Sequence, residues 1–182
     1  MKILLHSCCA PCTTYSLEAL RASGHDVLGY FRNPNIHPYT EHRRRVDTFK
    51  AYCAAVGHEA IIDEAYGLRE YLAAVGSDID NRCEVCYRMR LGPAAAIAAE
   101  RGCDAFTTTL LISPYQNHEL LRKVGEAEGA LAGVAFAYFD FRPGYRRSVE
   151  MSKEMGLYRQ PYCGCIFSEE ERYSKAFRRR PE

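Results

Sequence analysis

The chain has 182 residues, enough to bury a core without staples, and a single domain over residues 1–182 is expected. A hydrophobic share of 47% and a charged share of 26% are those of an ordinary soluble globular protein, and a net charge of +1 leaves no global basic field. No apolar run approaches the ~20 residues that cross a bilayer, and the N-terminus lacks a signal-peptide pattern, so a cytoplasmic protein with no membrane partner is expected.

The elements alternate along the chain. Lys2–His6 reads as a short buried strand, Pro11–Ala22 as a helix and Val27–Phe31 as a second strand. The polar turn Asn33-Pro34-Asn35 leads into a helix over Glu41–Ala55, then a weak strand Ala60–Ile62 and a short helix Leu68–Ala74. A polar loop, Gly76–Arg82, precedes an Ala-rich helix over Val85–Glu100. Asp104–Thr108 is strand-like, Pro114–Glu128 helical and Val134–Tyr138 a further strand. A helix over Arg147–Glu154 follows, and a last one begins near Ser168. Strands alternating with helices of this length predict right-handed βαβ crossovers and a parallel sheet with helices on both faces, an α/β fold. In such folds ligands sit beyond the carboxyl ends of the strands. That places His6–Cys9, Thr107–Thr109 and Asp140–Phe141 on one rim, although neither a GxGxxG nor a P-loop is present.

Nine cysteines in a reducing compartment point to metal or redox chemistry, since disulfides rarely persist there. Cys53 and Cys103 read as small buried hydrophobes. The other seven form three clusters: Cys8-Cys9 with Cys12, Cys83-x-x-Cys86, and Cys163-x-Cys165. The first two sit at helix starts, where the helix dipole favours the thiolate a metal needs. Cys8, Cys9, Cys83 and Cys86 thus make a four-sulfur site, for which iron–sulfur is favoured over zinc because zinc usually staples small, loop-rich modules. Gly164 lets Cys163 and Cys165 form a tight, strained and therefore reducible pair that stores two electrons, or the two add further metal ligands.

The polar surroundings carry a second signal. Ser113, Pro114 and Gln116 read as a helix start closed by a capping box, and with the hydroxyls of Thr107, Thr108 and Thr109 they outline a pocket for a polar ligand that includes Tyr115. Thirteen tyrosines, several beside arginine (Tyr87-Arg88, Tyr145-Arg146, Tyr158-Arg159), suit stacking on an unpaired base. The arginine clusters 43–45, 142 with 146–147, and 178–180 serve either as solvated faces or as local phosphate-binding patches. Asp140 and Tyr138 are the best-placed general acids on the rim, while His37 and His42 read as surface residues.

Taken together, HSCCAPC, FRNPNIHP, CEVCYRMRL, FTTTLLISPYQNHE, FDFRPGY and YRQPYCGCIFS resemble, in order, the motifs of the QueH family of epoxyqueuosine reductases. The resemblance implies an adenine-nucleotide-hydrolase-like fold and reduction of epoxyqueuosine to queuosine at the wobble base of a tRNA anticodon, without cobalamin. It also implies a [4Fe–4S] cluster on Cys8, Cys9, Cys83 and Cys86 and a redox-active disulfide between Cys163 and Cys165. Cys12 matches a family cysteine and would complete the site or bind a second, mononuclear iron. An electron donor, which the sequence does not identify, is required. The rival readings are an iron–sulfur tRNA thiolation-type enzyme and a zinc-stabilised RNA-binding module.

Overall fold

The computed structural model describes residues 1–174, so the cluster Arg178–Arg180 lies outside the described residues. Five strands, β1 (Lys2–His6), β2 (Asp26–Arg32), β3 (Ala60–Asp63), β4 (Ala105–Thr108) and β5 (Ala135–Phe136), form one parallel sheet in the order β3-β2-β1-β4-β5. Ile3, Leu4, Leu5, Phe31 and Phe106 are fully buried, which is why β1, β2 and β4 read as near-continuous apolar runs.

The helices are α1 (Ala10–Ala22), α2 (Tyr39–Val56), α3 (Leu68–Val75), α4 (Arg82–Glu100), α5 (His118–Ala132), α6 (Tyr145–Glu154) and α7 (Ile166–Tyr173). The chain runs from β1 outward to β3, then crosses back to β4 on the other side of β1. Right-handed crossovers therefore put α1 and α2 on one face of the sheet and α4 and α5 on the other. In keeping with this, α1 packs on α2 and α6, whereas α4 packs on α3 and α5. The order reverses between β1 and β4, so their carboxyl ends flank the switch point where such sheets bind ligands.

Two local expectations are corrected. Helix α5 does not start at Ser113: Asn117 is its N-cap, its Oδ1 accepting from the Leu120 N–H at 3.0 Å, and residues 113–116 form a turn. Ser113 Oγ accepts from the Tyr115 N–H at 3.3 Å instead, a local turn that competes with helix initiation. The last strand is only Ala135–Phe136, an edge strand whose Phe136 ring packs where a side chain on Gly125 would lie. No helix among the described residues is long and apolar enough to cross a membrane.

Candidate active site

Strand β1 delivers Ser7, Cys8 and Cys9 to the switch point. Cys9 adopts extended backbone and caps α1, its Sγ accepting from the Cys12 N–H at 3.4 Å, and Pro11 occupies the first turn, where its missing N–H costs nothing. The cap and the first helical turn together bring the Sγ atoms of Cys8, Cys9 and Cys12 within 4.8 Å of one another. Cys8 Sγ and Cys9 Sγ lie 3.7 Å apart. Across the switch point, Thr109 follows β4 and grips Cys8 twice: its Oγ1 accepts from the Cys8 N–H at 3.0 Å and donates to Cys8 Sγ at 3.3 Å. Gln160 Nε2 donates to Cys9 Sγ at 3.0 Å.

Three crowded thiols, two of them buried, shift one another in opposite directions. Hydrogen bonds from Cys12 and Cys9 hold its thiol well below the usual range, aided by Arg90 and Thr109. Burial pushes the Cys9 thiol up, and the hydrogen bond with Cys8 does the same for Cys12.

Cys83 and Cys86 lie at the start of α4, Cys83 exposed and Cys86 buried, and neither joins the compact three-sulfur group. The expectation that the helix start depresses their thiols is corrected. Desolvation raises both, Cys86 to about 12, because it outweighs the lowering by Arg82 at Cys83 and by Arg90 at Cys86. Cys86 Sγ accepts from Asn35 Nδ2 at 3.2 Å, and Asn35 Oδ1 accepts from Arg90 Nε at 2.6 Å. All three cysteine groups reach that one buried guanidinium: thiolates at Cys86, Cys163, Cys8 and Cys165 would each favour its charge.

Cys163 and Cys165 are free thiols with separate partners. Cys163 is exposed and its Sγ accepts from Gln116 Nε2 at 3.4 Å; Gln116 Oε1 in turn accepts from the Tyr87 hydroxyl at 2.9 Å. Cys165 is buried and caps α7, its Sγ accepting from the Ser168 N–H at 3.4 Å. Gly164 between them has φ +149°, and a Cβ there would press on Ile36 and Arg45. The loop is fixed by Arg45, whose Nη1 and Nη2 donate to the carbonyls of Cys163 and Tyr162 at 2.9 and 3.1 Å. Arg45 is itself paired with Glu41 at 2.7 Å, and Glu41 accepts from the Tyr158 hydroxyl at 2.6 Å. The 43–45 cluster is thus not one solvated face: Arg45 is buried, Arg44 stacks on Tyr158 at 3.8 Å, and Arg43 pairs with Glu64 and Asp47.

A cavity of about 590 Å³ joins these parts. Cys8, Cys12, Gln160, Cys163 and Gln116 line it, with Tyr115, Tyr145, Arg159 and Arg172. Thr109, Ser113, Tyr115 and Gln116 line it as expected of a polar pocket, but Thr107 and Thr108 do not. Both are fully buried, and Thr108 Oγ1 bonds His6 Nδ1 at 2.9 Å. Asp140 is also absent from the walls; Arg142 clamps its carboxylate at 2.7 and 2.8 Å and holds it down at about 2, so it is a fixed anion and not a proton donor near neutral pH. Tyr138 bonds His118 Nδ1 at 3.0 Å. His37 and His42 are buried, not superficial, and His37 Nδ1 accepts from the Ile166 N–H at 3.3 Å beside the cysteine pair.

The donor set fits an iron–sulfur group. Three soft sulfurs are clustered, two more cysteines lie at the start of α4, and hydrogen-bond donors from Gln160, Thr109, Asn35 and the Cys12 N–H already point at sulfur, as such sites require. A purely structural zinc site would be closed, whereas two of these sulfurs face a cavity. Asn35, Arg45, Arg90 and Gln160 carry no spacing signal; only their membership of FRNPNIHP, CYRMRL and YRQPYCGC would have drawn attention to three of them.

A family model described as Epoxyqueuosine reductase QueH matches residues 3–171. An epoxyqueuosine reductase QueH of Dehalococcoides mccartyi is 44% identical over 174 residues, covering 96% of each chain. Its Thermotoga maritima counterpart is 35% identical, over 95% of this chain and 93% of that one. Among solved structures, the U34-tRNA thiolase NcsA of Methanococcus maripaludis, determined with its [4Fe–4S] cluster, aligns with a TM-score of 0.58 at 15% identity. The match covers 92% of this chain but only 61% of that one, and it speaks to the fold alone.

Proposed function

The chain belongs to the QueH family of epoxyqueuosine reductases, and from that premise we propose that it reduces epoxyqueuosine to queuosine at the wobble position of tRNA. The observation that carries this reading is one cavity lined by Cys8 and Cys12 together with Cys163. Removing the epoxide oxygen as water takes two electrons and two protons, so electron-storing groups must reach one bound base together.

Cys8, Cys9 and Cys12, with Cys83 and Cys86 from α4, would hold a [4Fe–4S] cluster and leave a thiolate for a second, mononuclear iron. When bound, such a cluster supplies electrons one at a time. Cys163 and Cys165 supply the complement: their oxidation to a disulfide releases two electrons and two protons, the stoichiometry of the deoxygenation. Gln116 orients the Cys163 sulfur toward the cavity, and Arg45 holds the loop that carries it. An external donor then restores the dithiol.

The cavity walls suit an unpaired base. Tyr115 is 82% exposed and meets Tyr145 edge-to-face at 6.1 Å, so a ring is available for stacking beside Arg159. With tRNA as substrate, the activity belongs to the cytoplasm. The test is complementation: cells without an epoxyqueuosine reductase accumulate epoxyqueuosine in tRNA, and expression of this chain should restore queuosine. Persistent epoxyqueuosine with iron-loaded protein present would refute the reading.

A further inference from the structure

Arg90 is 1% exposed, yet no carboxylate pairs with it among the described residues. Nε donates to Asn35 Oδ1 at 2.6 Å, and the buried Nη2 has no partner. An arginine stays charged at any physiological pH, and burying that charge without a counter-charge is costly. The other large buried arginine, Arg45, follows the usual rule and has Glu41. On α4, Cys83, Cys86 and Arg90 follow the i, i+3, i+7 spacing of one helix face, and Asn35 bridges the guanidinium to Cys86 Sγ. Burial opposes the charge of Arg90, and thiolates at Cys86, Cys163, Cys8 and Cys165 would favour it.

We infer that Arg90 is the fixed counter-charge of the thiolate-held cluster, a positioning residue that raises the cluster's reduction potential and helps retain its iron. The inference rests on the iron–sulfur reading above. A cation in a low-dielectric site stabilises the more negative, reduced state over the oxidised one. Asn35 is the coupling element, since it fixes the guanidinium and donates to a sulfur at once.

The test uses the whole chain reconstituted anaerobically with iron and sulfide, with the midpoint potential read by a redox titration followed spectroscopically. Arg90→Gln should shift the potential to more negative values and lose iron to a chelator on the order of tenfold to a hundredfold faster. Arg90→Lys keeps the charge and should restore most of the potential. Asn35→Asp places a carboxylate against the guanidinium and should lower the potential with Arg90 still present, so the test stands even if Arg90→Gln fails to fold. An unmoved potential in the variants that fold overturns the inference, even if iron is lost faster, because packing alone would do that. Wild-type protein that takes up no iron overturns the underlying iron–sulfur reading, and the inference with it, a result distinct from either.

Discussion

Arg45, in the middle of α2, donates to the carbonyl of Cys163 at 2.9 Å across 118 positions of sequence, and so ties the cysteine pair to the body of the fold. The same guanidinium is paired with buried Glu41, which holds the Tyr158 hydroxyl. Both ends of the segment 158–163 therefore hang on one ion pair. Arg45→Ala leaves Glu41 buried without its partner and should destabilise the chain by about 3–5 kcal/mol in urea unfolding. Glu41→Gln, which removes a charge but keeps its shape, should also destabilise, because it strands the arginine. A loss under about 1 kcal/mol for Arg45→Ala would show that the pair is not what fixes the loop.

Thr109 offers a second, isosteric test. Thr109→Val keeps the volume but removes the Oγ1 that accepts from the Cys8 N–H and donates to its sulfur. A buried N–H left unsatisfied costs roughly 1–3 kcal/mol, so the apoprotein should unfold earlier by that amount. Reconstituted protein should also bind less iron. Unchanged stability and iron content would mean that Cys8 is positioned without Thr109.

The two cysteine groups should separate by phenotype. Cys12→Ala should lower iron content, because Cys12 is one of the three clustered sulfurs. Cys163→Ala should retain iron and fold normally, since its thiol is exposed, yet lose turnover. Full turnover in the second variant would remove the dithiol from the reaction.

His58 predicts a dependence of stability on pH outside the three cysteine clusters. Its ring is buried over Gly29, and neither nitrogen has a hydrogen-bond partner. Burial, with Arg21 nearby, lowers its pKa to about 4 from the usual value near 6.5. Between those values the unfolded chain binds a proton that the folded chain refuses. Stability is therefore intact above about pH 6.5 and falls as pH drops toward 4. Urea midpoints measured across that window should fall with acid, and His58→Leu should make the slope shallower, the buried His6 and His37 keeping part of it. An identical slope in the variant would assign the acid sensitivity to other groups.

The fold was legible where apolar runs were bounded by polar turns: β1 through β4 and helices α1 to α4 follow the periodicity closely. The start of α5 departs from the sequence expectation because Ser113, Pro114 and Gln116 satisfy the capping pattern in sequence alone. In space Gln116 turns to Tyr87 and Cys163, and Asn117 takes the cap. The clustering of Cys8, Cys9 and Cys12 was legible because five positions at a strand-to-helix junction cannot separate. The long-range contacts of Arg45, Arg90, Asn35 and Gln160 are not, since each joins residues far apart in sequence, and local pattern carries no trace of such contacts. Asp140 was placed by its strand end alone, and the neighbouring Arg142 decided its state.

The most direct test of the central claim is nucleoside mass analysis of epoxyqueuosine-containing tRNA after anaerobic incubation with the iron-loaded protein and a strong reductant. The account predicts that epoxyqueuosine disappears as queuosine, lighter by one oxygen atom, appears in equal amount, and that Cys163→Ala abolishes the conversion. Iron-loaded protein that leaves epoxyqueuosine intact would contradict it.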